Sequence, residues 1–240
     1  MNRSRKLETT STALHILAMA FMLCDHLWGT AILNGEWLTC VGRLAFPIFA
    51  FLLVEGYCHT SDFRKYLLRM LLFAVLSEIP FNLAIGGSLF YPYHQNVLWS
   101  FLLSLLLMHW NESVREKRLP VRGAVGCASV LVGAVIGLAA MLDYFHAGVL
   151  TVLVFYFLRK NTWWCRLGQL VCLCYINLEI LGGLVYELTL FGHPIALPQQ
   201  SFALLSLIFI WLYRGRQGYR SKFLQYFCYL FYPMHLLLLG

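Results

Sequence analysis

"GRLAFPIFAFLLVEG", residues 42–56, is an apolar run with a guanidinium at one end, Arg43, and a carboxylate at the other, Glu55. It reads as part of one membrane-crossing helix, because about 20 residues at 1.5 Å rise cross roughly 30 Å of hydrocarbon. Two full charges inside such a helix require partners, and the search for them organises the rest of the chain.

The surroundings are equally apolar. The 240 residues are 60% hydrophobic and 12% charged, with a mean hydropathy of +0.69, too apolar for a surface that water must wet. The sequence predicts an all-α, polytopic membrane helical bundle of about nine transmembrane helices, forming a single integral membrane domain over residues 1–240. The predicted spans are 12–33, 37–58, 66–86, 96–110, 123–142, 146–158, 167–187, 201–213 and 223–239. The segment 61–69 alternates charge with Phe63, Tyr66, Leu67 and Leu68, as an interfacial turn does.

A formal charge of +7 raises nucleic acid as a partner, but the positions of the cations exclude that reading. Arg3, Arg5 and Lys6 precede the first span; Arg64, Lys65 and Arg69 follow the second; Arg115, Lys117, Arg118 and Arg122 follow the fourth. Arg159, Lys160 and Arg166 follow the sixth, and Arg214, Arg216, Arg220 and Lys222 the eighth, while the alternate loops hold no Lys or Arg. By the positive-inside rule the N-terminus is cytoplasmic and the C-terminus external. The apolar start runs to Leu33 without a small-residue cleavage site and reads as the first span, not as a signal peptide. The eight cysteines lie mostly in apolar runs, so a disulfide framework is not expected, and Cys172-x-Cys174 reads as packing without a metal.

Gly126, Gly133 and Gly137 give the fifth span a close-packing face. Pro47, Pro80 and Pro233 each remove a backbone hydrogen bond within or near a span, a feature that usually lines a cavity.

An ionisable group at mid-bilayer costs at least ~2.5 kcal/mol, so each one marks a site until its partner is found. Counting the helical rise from the cytoplasmic end places Asp25 and His26 at roughly 18–20 Å, Arg43 at roughly 22 Å and Glu78 at roughly 17–18 Å. Asn177 and Glu179 fall at roughly 15–18 Å and His235 at roughly 18 Å, so five spans bring polar groups to one level. That coincidence favours a shared cavity. Asp25 or Glu78 can neutralise Arg43, and Glu55 can meet Arg64, Lys65 or His59. His26, beside carboxylates, is suited to proton transfer at neutral pH. Glu78 or Glu179 can orient it, or Asp25 can turn to His235; the sequence leaves these open. His94, Asn96, Asp143, His146 and His193 are expected to rim an external vestibule.

These blocks also carry a resemblance. "DH" at 25–26, "GRLAFPIFAFLLVEGY" at 42–57, "KYLLRMLLFAVLSEIPFN" at 65–82, "DY" at 143–144 with Gly148, "FALLSL" at 202–207, "YRGRQG" at 213–218 and "YLFYPMHLLLL" at 229–239 resemble the TraX family over nearly the whole chain. That family includes the enzyme that acetylates the N-terminus of conjugative pilin, and is similar to other multi-spanning acyltransferases of the bacterial membrane. The resemblance implies a multi-pass protein of the bacterial cytoplasmic (inner) membrane, surrounded by membrane lipid. It would take acetyl-CoA or another acyl-CoA from the cytoplasm and acylate an extracytoplasmic amine or hydroxyl on a pilin-like peptide or surface glycan, with no metal.

By position the resemblance carries over Asp25, His26, Gly42, Arg43, Glu55, Glu78, Asn82, Asp143, Tyr144 and His235. The expected roles are His26 as general base with Asp25 or Glu78 orienting it, and Arg43 or a backbone amide near Pro47 on the oxyanion. Arg64, Lys65, Arg69 and Arg214 would hold the CoA phosphates. Asn82, Asn96, Asp143, Tyr144 and His235 would meet the acceptor. One departure is Phe145, where a glycine is expected after Asp-Tyr. The competing classes are a small-molecule or proton-coupled transporter, which predicts two related halves that the chain does not display, and an assembly scaffold in which the polar level is idle.

Overall fold

The computed structural model describes residues 8–190, 193–219 and 221–240, and these are mostly helical. The helices are α1 (Ser11–Gly29), α2 (Glu36–Gly42), α3 (Ala45–His59), α4 (Phe63–Gly86), α5 (Val97–Ser113) and α6 (Leu119–Ala139), followed by α7 (Phe145–Phe157), α8 (Trp163–Cys174), α9 (Ser206–Trp211) and α10 (Lys222–Leu239). A π-helical turn, Tyr175–Leu181, extends α8, and a 3₁₀ turn, Gln199–Leu205, leads into α9. Side chains of Thr10, Asp62, Asn96, Thr162 and Ser221 accept backbone N–H groups at the starts of α1, α4, α5, α8 and α10, satisfying donors that a helix start leaves free. Asp62 thereby turns the expected interfacial segment into the first turn of α4.

Five helical stretches are long and apolar enough to cross a membrane: Ser11–Gly29, Glu36–His59, Phe63–Gly86, Leu119–Ala139 and Trp163–Leu181. The other helical segments are shorter, and each overlaps one of the remaining predicted spans. The opening stretch belongs to the centre. In Glu36–His59, 72% of the most apolar window is buried, against 17% for α1 and for α6, so α3 is the helix around which the others pack. It meets α1, α5, α7 and α9, with Ile48, Ala50, Leu53 and Val54 buried.

Two expectations are corrected. The stretch read as one helix is interrupted at Arg43–Leu44, where α2 ends and α3 begins. Pro47 explains the break, since a proline in the first turn of α3 cannot donate to the Arg43 carbonyl. The second correction concerns the all-α class. The span expected to continue to Glu187 stops at Leu181, because Gly182 and Gly183 take φ of 57° and 90°, a left-handed backbone that suits glycine and ends a helix. An antiparallel hairpin follows, β1 (Val185–Leu190) pairing with β2 (His193–Pro198). Alternation and β-branched residues in Val185-Tyr-Glu-Leu-Thr-Leu190 favour a strand where the sequence reading placed the end of a span, to Glu187, and then a loop.

At the basic end, the segment after α9 closes against the start of α1. Ser11 and Thr12 N–H groups donate to the carbonyls of Arg216 and Gln217 at 2.9 and 3.0 Å, and Arg216 pairs with Glu8 at 3.3 Å. The predicted cytoplasmic cations Arg3, Arg5, Lys6 and Arg220 lie outside the described residues.

Candidate functional site

Arg43 finds its partner one helix away. Its Nη2 donates to Asp25 Oδ1 on α1, and both side chains are only 16% exposed. Thr39, one turn before Arg43 on α2, ties the pair together: its hydroxyl donates to Asp25 Oδ1 at 2.7 Å and accepts from Arg43 Nη2 at 3.1 Å. Gln199 Nε2 adds a further donor to Thr39 Oγ1 at 2.8 Å. Gly42 makes this approach possible, since a Cβ there would stand 2.7 Å from Asp25 Cγ. Of the two candidate carboxylates for Arg43, Asp25 is the one that pairs.

His26 faces the other way and meets α10. Its Nδ1 lies 2.6 Å from His235 Nε2, while His235 Nδ1 lies 2.7 Å from the Phe231 carbonyl. A carbonyl only accepts, so His235 Nδ1 carries hydrogen and, in the neutral ring, its Nε2 is a bare acceptor. His26 Nδ1 must then donate, which leaves His26 Nε2 with a free lone pair. His235, not Glu78, Glu179 or Asp25, orients His26. Glu179 is exposed on the π turn. Asp143 and Arg43 are within electrostatic reach of His26, as Tyr144 and Asp143 are of Arg43, so the two histidines and the ion pair form one neighbourhood.

Glu78 is held in a second knot. Its Oε2 accepts from Asn96 Nδ2 and, at 2.8 Å, from Trp99 Nε1, both at the start of α5, and Oε1 is buried without a partner. Asn96 was expected on an external rim; it is fully buried, because its amide also caps α5 and donates to the Ala74 carbonyl. Asn82, one turn after Glu78, is 3% exposed and donates to Leu89 O at 3.3 Å, with Oδ1 unpartnered. Glu78 is within electrostatic reach of Tyr232 and His94, which places this knot beside the first.

The rim itself is built by His94 and Asp143, joined at 3.1 Å, with Ser100 Oγ donating to the Asp143 carbonyl at 2.9 Å. Tyr144 stacks on Phe46 of α3, ring centroids 4.3 Å apart. Tyr144 and Phe145 have φ of 60° and 48°, the left-handed region that favours glycine. The glycine expected after Asp-Tyr thus has a backbone reason, and Phe145 occupies a strained position.

Towards the basic end, Glu55 meets His59, 3.9 Å away, and not Lys65, which pairs with Asp62 at 3.1 Å. Arg64 and Arg214 are exposed. Arg69 is placed differently, with its guanidinium 6.0 Å from the Tyr66 ring centre and 5.9 Å from that of Tyr229. It stands over a narrow apolar cavity of about 120 Å³ between α1, α3, α4, α5 and α10. Met19, Met22 and Cys228 line its length, and Val97 and Tyr232 lie at residues adjoining the polar knots. The group that Pro47 leaves free is the Arg43 carbonyl, an acceptor, so the expected backbone donor for an oxyanion is not found there. Among the described residues, no three His, Cys, Asp or Glu side chains converge as a metal site requires.

Sequence reasoning missed Thr39, Trp99 and Gln199. Thr39 was findable, at i−4 from Arg43 and on its face. Gln199 comes from the segment after the hairpin and carries no local signal.

Comparison with known proteins agrees with the pattern of motifs. The profile of the family described as TraX protein matches residues 10–240. The chain is 29% identical over 250 residues to a Dichelobacter nodosus protein described as "Probable fimbrial assembly protein FimC, serogroup H1", covering 98% of this chain and 96% of that one. No solved structure matches.

Proposed function

The chain belongs to the TraX family, and from that premise we propose that it is a membrane-embedded acyltransferase of the bacterial inner membrane with nine crossings. In this reading it moves an acyl group, acetyl in the first instance, from cytoplasmic acyl-CoA to an amine or hydroxyl on the external side. The observation that carries the reading is the His26–His235 pair, whose hydrogen-bond polarity leaves a basic nitrogen on His26 beside the Asp25–Arg43 ion pair.

His26 Nε2 takes the proton from the acceptor as its nitrogen or oxygen bonds to the thioester carbon, and returns it to the CoA sulfur as the carbon–sulfur bond breaks. His235 is a positioning residue that fixes the tautomer of His26. Arg43 has N–H groups beyond those used on Asp25 and Thr39, and turns them to the oxygen on which charge develops, a role worth roughly 3–4 kcal/mol in enzymes where a single donor was removed. The cavity beneath Arg69 suits the thin arm of the donor, and the guanidinium suits a phosphate at its entrance. Asp143, His94 and Tyr144 meet the acceptor; Asn82 and Asn96 support Glu78 and the α4–α5 loop.

A carrier or scaffold would be indifferent to CoA. For purified protein, acetyl-CoA at about one hundred times its Kd adds about 2.7 kcal/mol of stability and raises the melting temperature by several degrees. An unchanged melting temperature at millimolar acetyl-CoA contradicts the proposal.

A further inference from the structure

A second cavity lies away from the polar knots, in the groove between α5, α6 and α7 at the basic end, with a volume of about 980 Å³. Its origin is the sequence of α6. Gly123 has nothing within 4 Å of where a Cβ would stand, and Gly126 has only contacts of 3.8 Å and beyond, so the first turns of α6 leave space that side chains would fill. The groove has two chemically distinct parts. Arg115, Arg122, Arg159 and Lys160 gather at one end, and Val130, Leu131, Ala134 and Leu150 form an apolar wall. Arg115 is committed to Glu112 at 2.8 Å and Arg159 to Cys58 Sγ at 2.6 Å, whereas Arg122 and Lys160 make no ion pair among the described residues.

We propose that this groove binds an anionic phospholipid of the cytoplasmic leaflet, its phosphate at Arg122 and Lys160 and one acyl chain along Val130 to Leu150. Charge complementarity selects the head, because two uncommitted cations at the inner membrane surface attract an anion that is present at high local concentration. The wall selects the rest, because a phosphate compound without a chain has no group to lie along Val130, Leu131, Ala134 and Leu150. The acyl-CoA donor is a poor match: Leu105, Val149, Val152, Leu153 and Phe155, all 1% exposed or less, seal α5 and α7 between the groove and His26. The inference does not depend on the acyltransferase reading.

The test is native mass spectrometry of the full chain in neutral detergent, titrated with phosphatidylglycerol or with phosphatidylcholine of matched chains. Wild type binds phosphatidylglycerol preferentially, and Arg122→Gln/Lys160→Gln weakens it about thirtyfold, to the level of phosphatidylcholine. Leu131→Trp, at an exposed position and with all charges kept, also weakens it by filling the groove. Equal binding of the two lipids by wild type, or unchanged phosphatidylglycerol affinity in either variant, overturns the proposal. Displacement of phosphatidylglycerol by micromolar CoA would make the cations a nucleotide site and overturn it too.

Discussion

Arg43 brings a charge into the apolar half of the bundle, and the surrounding residues show what that requires. Asp25 neutralises it, Thr39 satisfies both partners, and Gly42 removes the one side chain that would keep α2 off α1. At the rim the same logic gives a pH dependence. The hydrogen bond to Asp143 holds the pKa of His94 above its ordinary 6.5, since the imidazolium binds the carboxylate better than the neutral ring does. With the folded value above the unfolded one, the stabilisation is complete below about pH 6.5 and fades as the pH rises through the folded value. The melting temperature of wild type therefore falls relative to that of His94→Gln between about pH 6 and about pH 8. Parallel profiles for the two proteins would mean that the contact contributes nothing. The existence of these polar groups was legible, because charge in an apolar run is visible in one dimension. Their pairing was not: whether Asp25 or Glu78 takes Arg43 depends on helix rotation, which the close approach at Gly42 decides.

At the scale of elements, the contact of α1 with α2 is the one on which the site depends. Replacing Gly42 by Ala sets a methyl group 2.7 Å from Asp25 Cγ, so α2 must shift or the carboxylate must leave Arg43. Overpacking of this kind costs about 1–3 kcal/mol, and Gly42→Ala is expected to lower the melting temperature and to lose acyl transfer well beyond that loss of stability. A variant with normal transfer would show that the pair can be displaced without consequence. The helical elements followed from apolar runs and capping residues, and the break at Arg43–Leu44 has its cause in Pro47. The hairpin was not anticipated. Its apolar residues continue the run of α8, and only Gly182-Gly183 separates a helix that could extend from a strand that does form.

For the molecule as a whole, the fold brings together four members of the polar level read from helical rise, Asp25, His26, Arg43 and His235, and adds Asp143, which was expected on the rim. Asp25, His26, Arg43, Asp143 and His235 come from the first, second and last helical stretches and from the segment entering α7, and meet as one neighbourhood. Glu78 joins through its own knot, while Glu179 stays at the surface and the Asn177 amide turns back to the Leu173 carbonyl, 2.8 Å away. Depth along a helix is readable from the chain, but the side on which a residue lies is not, and that divides the residues that gathered from those that did not. The apolar cavity beside Arg69 lies towards the basic end, lined by Phe231 and Tyr232 of the helix that carries His235, and the His94–Asp143 pair lies on the segments that enter α5 and α7.

The proposed transfer from cytoplasmic donor to external acceptor has a directional consequence. Sealed, right-side-out membrane vesicles loaded with acetyl-labelled CoA should place label on acceptors at their outer face. His26→Ala should reduce that transfer at least about a hundredfold, and His235→Ala should reduce it less. Normal outward labelling by His26→Ala vesicles, or labelling confined to the inner face in wild type, would contradict the account.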